Sequence, residues 1–511
     1  MKNSNKLVKK NGVILVAAMA IMLIVAVMCV VLASMLGVTA RGSLDYWRSS
    51  QAFALAQGGL NWYMEQLVNT ADWDTTVNQS GVSFSPGTFD VVLSNKASPQ
   101  SDATTATRMD IAVTGKMTGS DGQTVKRTMS QRVWKLPSAS KFALYWGRRT
   151  GTTLTLTNVA ISGDYWSIGT TAIPVSSAVT DGSAYYPTTE NITGAGTYTK
   201  VNVGAFPYFS GFTGSTSTYS TPAINSAYYT GLMTNYNSII SACSSSSTIN
   251  QNTNLTLTGN TVCCRTFNTN TTGSGTVTIS GNGIIVANRD IFLNTTNTNG
   301  RNLVITPSGG NILILAGRTL QVNTRTTGTH SVTISSGARM YSESLSANTQ
   351  LLDVQNPLTT IDGALLLAER RIQIRNGADI TNSTLFVDQA ANAKNNNLTV
   401  TTAGTVVGTA VAPCNLISIA QGSPALAITT SPSVVGFVYQ KNTTAATGFT
   451  NIAGTSSAAR ASITGTVIAN QFTGNAISNA NITYDPTAIP DPPPEGFDGF
   501  ATKDPNSWSG N

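Results

Sequence analysis

The pattern of apolar and polar positions falls into three regimes along the chain. From Val13 to Val38 there are 26 residues without a charge. At about 1.5 Å per helical residue they make roughly 39 Å, more than the ~30 Å hydrocarbon core of a bilayer. Next, Phe53, Ala56, Leu60, Tyr63, Met64 and Leu67 recur at steps of three and four and share one stripe. One long helix reaching about Leu67 is therefore predicted, its first half soluble in lipid and its second packed on a globular domain. Gly58-Gly59 weakens it by roughly 1 kcal/mol per glycine relative to alanine, which predicts a bend.

Beyond the helix the period shortens to that of strands. Residues 39–138 read as the outer helix plus a small antiparallel sheet, with runs at Phe89–Leu93, Met109–Val113 and Met129–Trp134. Turn signals separate them at Ser85-Pro86-Gly87 and Gly119-Ser120-Asp121-Gly122. From 139 to 485 brief apolar strands alternate with Gly, Asn, Thr and Ser turns, as in Leu154-Thr155-Leu156, Val277-Thr278-Ile279, Leu385-Phe386-Val387 and Ile463-Thr464-Gly465-Thr466-Val467-Ile468. A sandwich and a solenoid both fit this texture. A parallel β-helix fits better, because each coil needs only two or three inward apolar residues and its turns can repeat the same small polar residues. The fold class expected is mainly β with a long N-terminal helix: an α+β domain followed by an irregular β-solenoid. The Tyr- and Ser-rich stretch 171–241 reads as an insertion or surface loop. The Pro-rich polar tail, 486–511, reads as unpacked.

Charge narrows the functional choices. Only 10% of residues are charged, and four lysines of the +7 balance lie within the first ten residues. These basic residues ahead of the apolar run leave the N-terminus in the cytoplasm and send the bulk of the chain outward. Val38-Thr39-Ala40 is a passable small-residue cleavage site, but the run is longer than a signal peptide's apolar region. The remaining arginines form no run, so no nucleic-acid footprint is expected. Between Ser162 and Asp485 there are 11 acids, none close in sequence to another, although coils can stack them. Arg370, Arg371, Arg375 and Asp379 would make a charged stripe if their coils align, or simply a solvated face. His330 is the only histidine, which excludes multi-histidine metal sites, and no cofactor is expected. Of the five cysteines, Cys29 lies in the apolar run. Cys243 can close a loop of about 20 residues with Cys263 or Cys264, worth about 3 kcal/mol by chain entropy in an oxidising compartment. Adjacent Cys263 and Cys264 point oppositely on a strand, so they seek different partners.

A basic leader ending at Gly12, an apolar helix opening at Val13, and the phrase Ala52-Phe53-Ala54-Leu55-Ala56-Gln57-Gly58-Gly59-Leu60 resemble the N-terminal region of PilX-like minor type IV pilins. Phrases such as Gly163-Asp164-Tyr165, Gly436-Phe437-Val438-Tyr439 and Asn481-Ile482-Thr483-Tyr484-Asp485 resemble the entry and closing coils of the β-helical region in such proteins. The resemblance implies a leader, 1–12, removed by a prepilin peptidase, methylation of Val13, a transmembrane helix, 13–38, and partnership with other pilins in the inner membrane and then in a pilus. Two departures stand out. Ala17 occupies the fifth mature position, where most pilins carry Glu, and Gln57 stands where the family phrase has Glu. The missing Glu points away from the major subunit. Three readings follow: a minor pilin-like component with a solenoid head for adhesion to a glycan or protein, a membrane-anchored adhesin outside any filament, and a β-helix polysaccharide-active enzyme. The sparse acids disfavour the third, and the expectation is a protein without enzyme activity.

Overall fold

A computed structural model describes residues 4–68, 73–98, 106–136, 138–147, 153–187, 191–203, 224–269, 275–294, 301–323, 330–343, 351–388, 397–420, 424–441, 450–472, 476–494, 501–503 and 509–510. The chain is mainly strands, with one long N-terminal helix and a large parallel sheet wound into a solenoid.

Helix α1 runs unbroken over Ser4–Val68. Its outer half lies across a meander of four antiparallel strands, β1 (Gln79–Phe84), β2 (Gly87–Ala97), β3 (Arg108–Thr118) and β4 (Thr124–Lys135). The predicted stripe is the face that packs: Ala56, Leu60, Tyr63 and Leu67 are buried against Phe89, Val91, Ile111, Val113 and Trp73. The helix continues without a break through Gly58-Gly59, where a bend was expected. A Cβ on Gly59 would sit 2.7 Å from the Phe89 ring and 2.9 Å from Val113, so the glycine lets helix and sheet approach closely. Arg48, almost wholly buried, reaches 2.8 Å to Asp121 in the β3–β4 turn and pins the helix to that hairpin.

In the solenoid each regular coil has three short strands on three faces. One coil comprises Thr319–Val322, Val332–Ile334 and Ala338–Ser342, and the next Leu352–Val354, Thr359–Asp362 and Leu365–Ala368. Equivalent residues stack in register: Leu320, Leu352, Ile372 and Leu398 on the first face, and Ile334, Ile361, Ile380 and Val407 on the second. On the third face the inward column is Met340, Leu366, Leu385 and Leu416. These columns meet in one dry core. Within the strands Ser433–Gln440 and Ala461–Ala469, the stacked Gly436 and Gly465 have positive φ, and a Cβ on either would lie 1.9–2.1 Å from a carbonyl oxygen of the neighbouring coil, which leaves room only for glycine.

The coils do not stack in chain order. The coil at Leu144–Trp146 and Leu154–Ser162 pairs with the late strands Ala461–Ala469 and Ala476–Tyr484. From there the chain winds outward through Tyr165–Ser167, Thr171–Ala172, Ala184–Pro187, Ile192–Thr193 and Lys200–Val203. Its return begins at the opposite end, with Leu255–Asn268. Of the segment expected as an insertion, 171–241, the described parts 171–187 and 191–203 are therefore coil, and the part from Ala227 on is helix. Of the phrases expected to close the stack, Gly465–Ala469 and Asn481–Thr483 lie on strands that pair with the entry coil, whereas Gly436–Tyr439 lies one coil further in.

The chain returns along a second hydrophobic core outside the solenoid. On the third face an outward ladder runs Cys263, Val286, Leu315, Tyr341, Leu367, Phe386, Ile417, Tyr439, Ile468, Tyr145, Trp166 and Tyr185. Helix α2 (Ala227–Ala242) straps it, burying Tyr229, Met233, Tyr236 and Ile240 at four- and three-residue steps. Ile224 bonds the Tyr439 hydroxyl through its backbone, Tyr229 stacks on Phe386 at 4.3 Å, and Tyr236 packs on Tyr341 at 5.6 Å. Lengths agree: seven ladder steps of about 4.8 Å separate Tyr439 from Cys263, roughly 34 Å. A 16-residue helix of ~24 Å plus three extended flanking residues covers the same span. Thr230, Thr234 and Ser238 return their hydroxyls to carbonyls four residues back, which satisfies the polar residues within the helix.

The described part of the tail is packed, contrary to expectation. Ile489 enters the second core, and Asp491 accepts from Arg108, Arg132 and Trp134 of the meander at 3.1–3.2 Å. Thr107 donates to the Pro493 carbonyl, and Ala501–Lys503 pairs antiparallel with β4. Chain crosses between meander and solenoid twice, once on the way in and once on the way out.

Candidate functional site

Two regions carry chemistry. The first is the inner half of α1. Gly12 and Val13 lie within this helix, with their side-chain surroundings outside the described residues. From Leu15 to Val38 every large apolar side chain is exposed, and Ala17 sits among them. It is the one stretch among the described residues long and apolar enough to cross a membrane. A bare apolar surface of this length needs lipid or other helices around it.

The second is the edge of the solenoid's third face. Glu343, Glu369 and Asp388 directly follow the stacked residues Ser342, Ala368 and Val387, so three acids remote in sequence occupy successive coils. Irregular coil lengths hide this column from sequence spacing. Glu369 is the tie for the strap: its Oε1 accepts from Asn237 at 2.7 Å and from the Tyr341 hydroxyl at 3.0 Å. Burial, and then the Glu369 charge, push Glu343 up to about 7 and Asp388 up to about 6.

Both shifts set a pH dependence. These groups hold protons more tightly folded than unfolded, so their contribution is fully present below about pH 4, the ordinary carboxyl range, and is lost as pH rises through about 6 to 7. Carboxylates in the meander act in the opposite sense but lower. Lys116 holds Asp90 below the usual range, and Asp110, although partly buried, is held low by Arg132 and Asn95. Thermal unfolding at pH 5 is expected at a higher temperature than at pH 8, and Glu343→Gln with Asp388→Asn should flatten that difference. Equal stability of the wild type at both values would contradict the assignment.

The charged stripe drawn from the sequence divides differently. Arg375 pairs with buried Asp353 on the first face at 2.9 and 3.2 Å. Arg318 pairs with Asp290 in the same manner on other coils. Arg371 lies on that face, whereas Asp379 belongs to the second. These are cross-coil ion pairs, and the stripe does not form. His330 lies just ahead of Val332–Ile334, its carbonyl accepting from Asn323.

Cys243, at the end of the strap, is bonded to Cys263 of the terminal coil. Strand alternation decides the pairing: Cys264 faces the inner core and Cys263 the ladder. Cys264 and Cys414 are buried thiols whose pKa values burial raises to about 11 and about 12. Removing the bond frees a loop spanning a separation of 20 residues, worth about 3 kcal/mol in the chain-entropy model. Reduction should lower the unfolding midpoint and speed amide exchange in Ala227–Ala242. An unchanged midpoint and exchange pattern would mean that the strap holds without the bond.

The chain matches no protein-family model, no curated protein and no solved structure.

Proposed function

We propose that this chain is a minor, pilin-like structural component of a type IV pilus or related secretion filament, with the solenoid as its displayed head. The observation that carries the reading is one continuous helix whose inner half is bare and apolar and whose outer half is embedded in a four-stranded antiparallel meander. In this reading a prepilin peptidase cuts between Gly12 and Val13, and the subunit waits in the inner membrane with its bulk outside. Bare helix faces then pack against those of other pilins.

Ala17 argues for few copies. A carboxylate at that place would meet a neighbour's amino terminus by opposite-charge attraction in a nearly dry helix bundle, and alanine offers none. A head larger than two ordinary domains also crowds a repeating lattice. The tip, where only one side must pack, suits both features. The two chain crossings, with Asp491 bound by three donors, would hold the head to the stem under load. Labelling the head and imaging filaments tests this: labels at filament ends agree with it. Regular decoration of the shaft at a stoichiometry near that of the major subunit overturns it. Cells that display the head but yield no labelled filament would favour the anchored adhesin.

A further inference from the structure

Along the corner that leads into the third face, successive coils place Asn282, Asn311, Gly337, Gly363, Asn382 and Pro413 one above another. Five ladder steps of about 4.8 Å make this column roughly 24 Å long. The two glycines, with φ of +89° and +67°, leave its middle without side chains, so the column is a trough between the amides of Asn311 and Asn382. Two hollows of about 340 and 300 Å3 lie along it and share Asn311 and Arg339. Both fall at the lower end of small-ligand volumes, ~300–1,000 Å3. The strap walls one hollow with Leu232, Asn235 and Tyr236, and the tail walls the other with Pro490, Asp491 and Pro492.

The groups open to a ligand here are neutral. Ser336 and Asn382 beside the trough and Asn235 on the strap are exposed, and their side chains bond to nothing among the described residues. Asn282 donates to the Gly309 carbonyl at 3.1 Å, which leaves its side-chain oxygen to accept. The charges are already committed. Arg339 is almost wholly buried and donates to Asn311 at 3.3 Å, in the amide orientation that also lets Asn311 donate to the Gly337 carbonyl. Asp491 accepts from Arg108, Arg132 and Trp134. A charged ligand would therefore give up hydration without gaining an opposite charge. Hydroxyls suit the trough, because each both donates and accepts, as do the amide and hydroxyl side chains that face them. An extended peptide is less well served. The trough crosses strands that are paired on both edges, so no backbone edge is free to pair with it.

We propose that this trough binds a neutral, linear oligosaccharide, with Ser336, Asn382, Asn235 and Asn282 bonding its hydroxyls. The proposal names the ligand class of the displayed head and rests on that reading for its setting, while the binding itself needs no filament.

The test applies the full chain, in a detergent without a sugar headgroup, to an array of linear oligosaccharides of two to six hexose or N-acetylhexosamine units, their uronate counterparts and glycine-serine hexapeptides. Probes that bind are then titrated calorimetrically. At least one neutral oligosaccharide should bind, more tightly as units are added until the trough is filled, and its uronate counterpart at least about tenfold more weakly. Ser336→Ala and Asn382→Gly should each weaken binding about three- to tenfold with unchanged thermal unfolding, since neither side chain has a partner in the fold. Glycine is chosen at 382 because that backbone has φ +53°. Four results would each overturn the proposal: no neutral oligosaccharide bound, a uronate or peptide bound at least as tightly, a disaccharide bound as tightly as its hexasaccharide, or both variants binding as wild type. A failure here leaves the location of heads on filaments unaffected, so the two readings fail separately.

Discussion

Gly115→Val will detach the outer half of α1 from its sheet. A Cβ at this position would lie 2.0 Å from the Ala52 carbonyl oxygen and 2.7 Å from the Ala56 nitrogen, and both atoms belong to the helix backbone. No side-chain rotation relieves such a contact, so the helix must lift, and Ala56, Leu60 and Tyr63 lose their seat on Phe89 and Val113. Overpacking a tight core usually costs about 1–3 kcal/mol and occasionally more; a clash against rigid backbone belongs at or beyond the top of that range. The expected readout is loss of the cooperative unfolding of the meander and exposure of Trp73, which is fully buried in the native fold. Gly37→Ala is the control. Nothing lies within 4 Å of its added Cβ, so the change should be neutral or slightly favourable through helix propensity. If Gly115→Val unfolds like the wild type, the helix does not rest on β3 as described.

Phe386→Ala should cost the solenoid about 3–5 kcal/mol, the usual range for removing a fully buried phenyl ring. The ring is the middle rung of the outward ladder, between Leu367 and Ile417, and its far side is covered by Tyr229 at 4.3 Å with planes 16° apart. Its loss therefore opens a cavity that two coils and the strap all line. Amide exchange in Ala227–Ala242 should rise together with the fall in stability, because Tyr229 loses its seat. Val411→Ala, at a side chain 95% exposed, should change stability by less than about 0.5 kcal/mol. A Phe386→Ala cost below about 1 kcal/mol, or a strap that exchanges as slowly as before, would remove the second core from the account.

Much of the fold was legible, for a physical reason. Short apolar triplets such as Leu385-Phe386-Val387 mark solenoid strands because two residues face the inner core while the one between them faces outward. The order of the coils was not legible. Any coil edge offers the same backbone groups, so nothing in Leu154–Ser162 announces that it will receive Ala476–Tyr484 from the far end of the chain. Helix α2 was missed because Tyr, Thr, Asn and Ser fill its outer faces and read as loop. The signal was present in Tyr229, Met233, Tyr236 and Ile240, spaced as one helical stripe. Composition likewise concealed the tail. Its prolines suggest an unpacked segment, yet Asp491 stands among them as the acceptor for two arginines and an indole. At Gly58-Gly59 the sequence shows only weak helix formers, and the close contact that Gly59 allows with Phe89 and Val113 depends on the packed sheet.

The functional features divide on the same lines. The apolar run and its exposure were readable from local sequence alone. The acid column Glu343, Glu369 and Asp388 depends on coil register, which irregular coil lengths conceal.

The central claim, that a pilin-like helix carries this solenoid, is tested most directly by the N-terminal sequence of the protein recovered from the outer face of the cell. Our account predicts a chain beginning at Val13, with its amino group methylated, and an uncut precursor when Gly12 is replaced by a bulky residue. Recovery of the full-length chain, or of one beginning at Arg41, would contradict it.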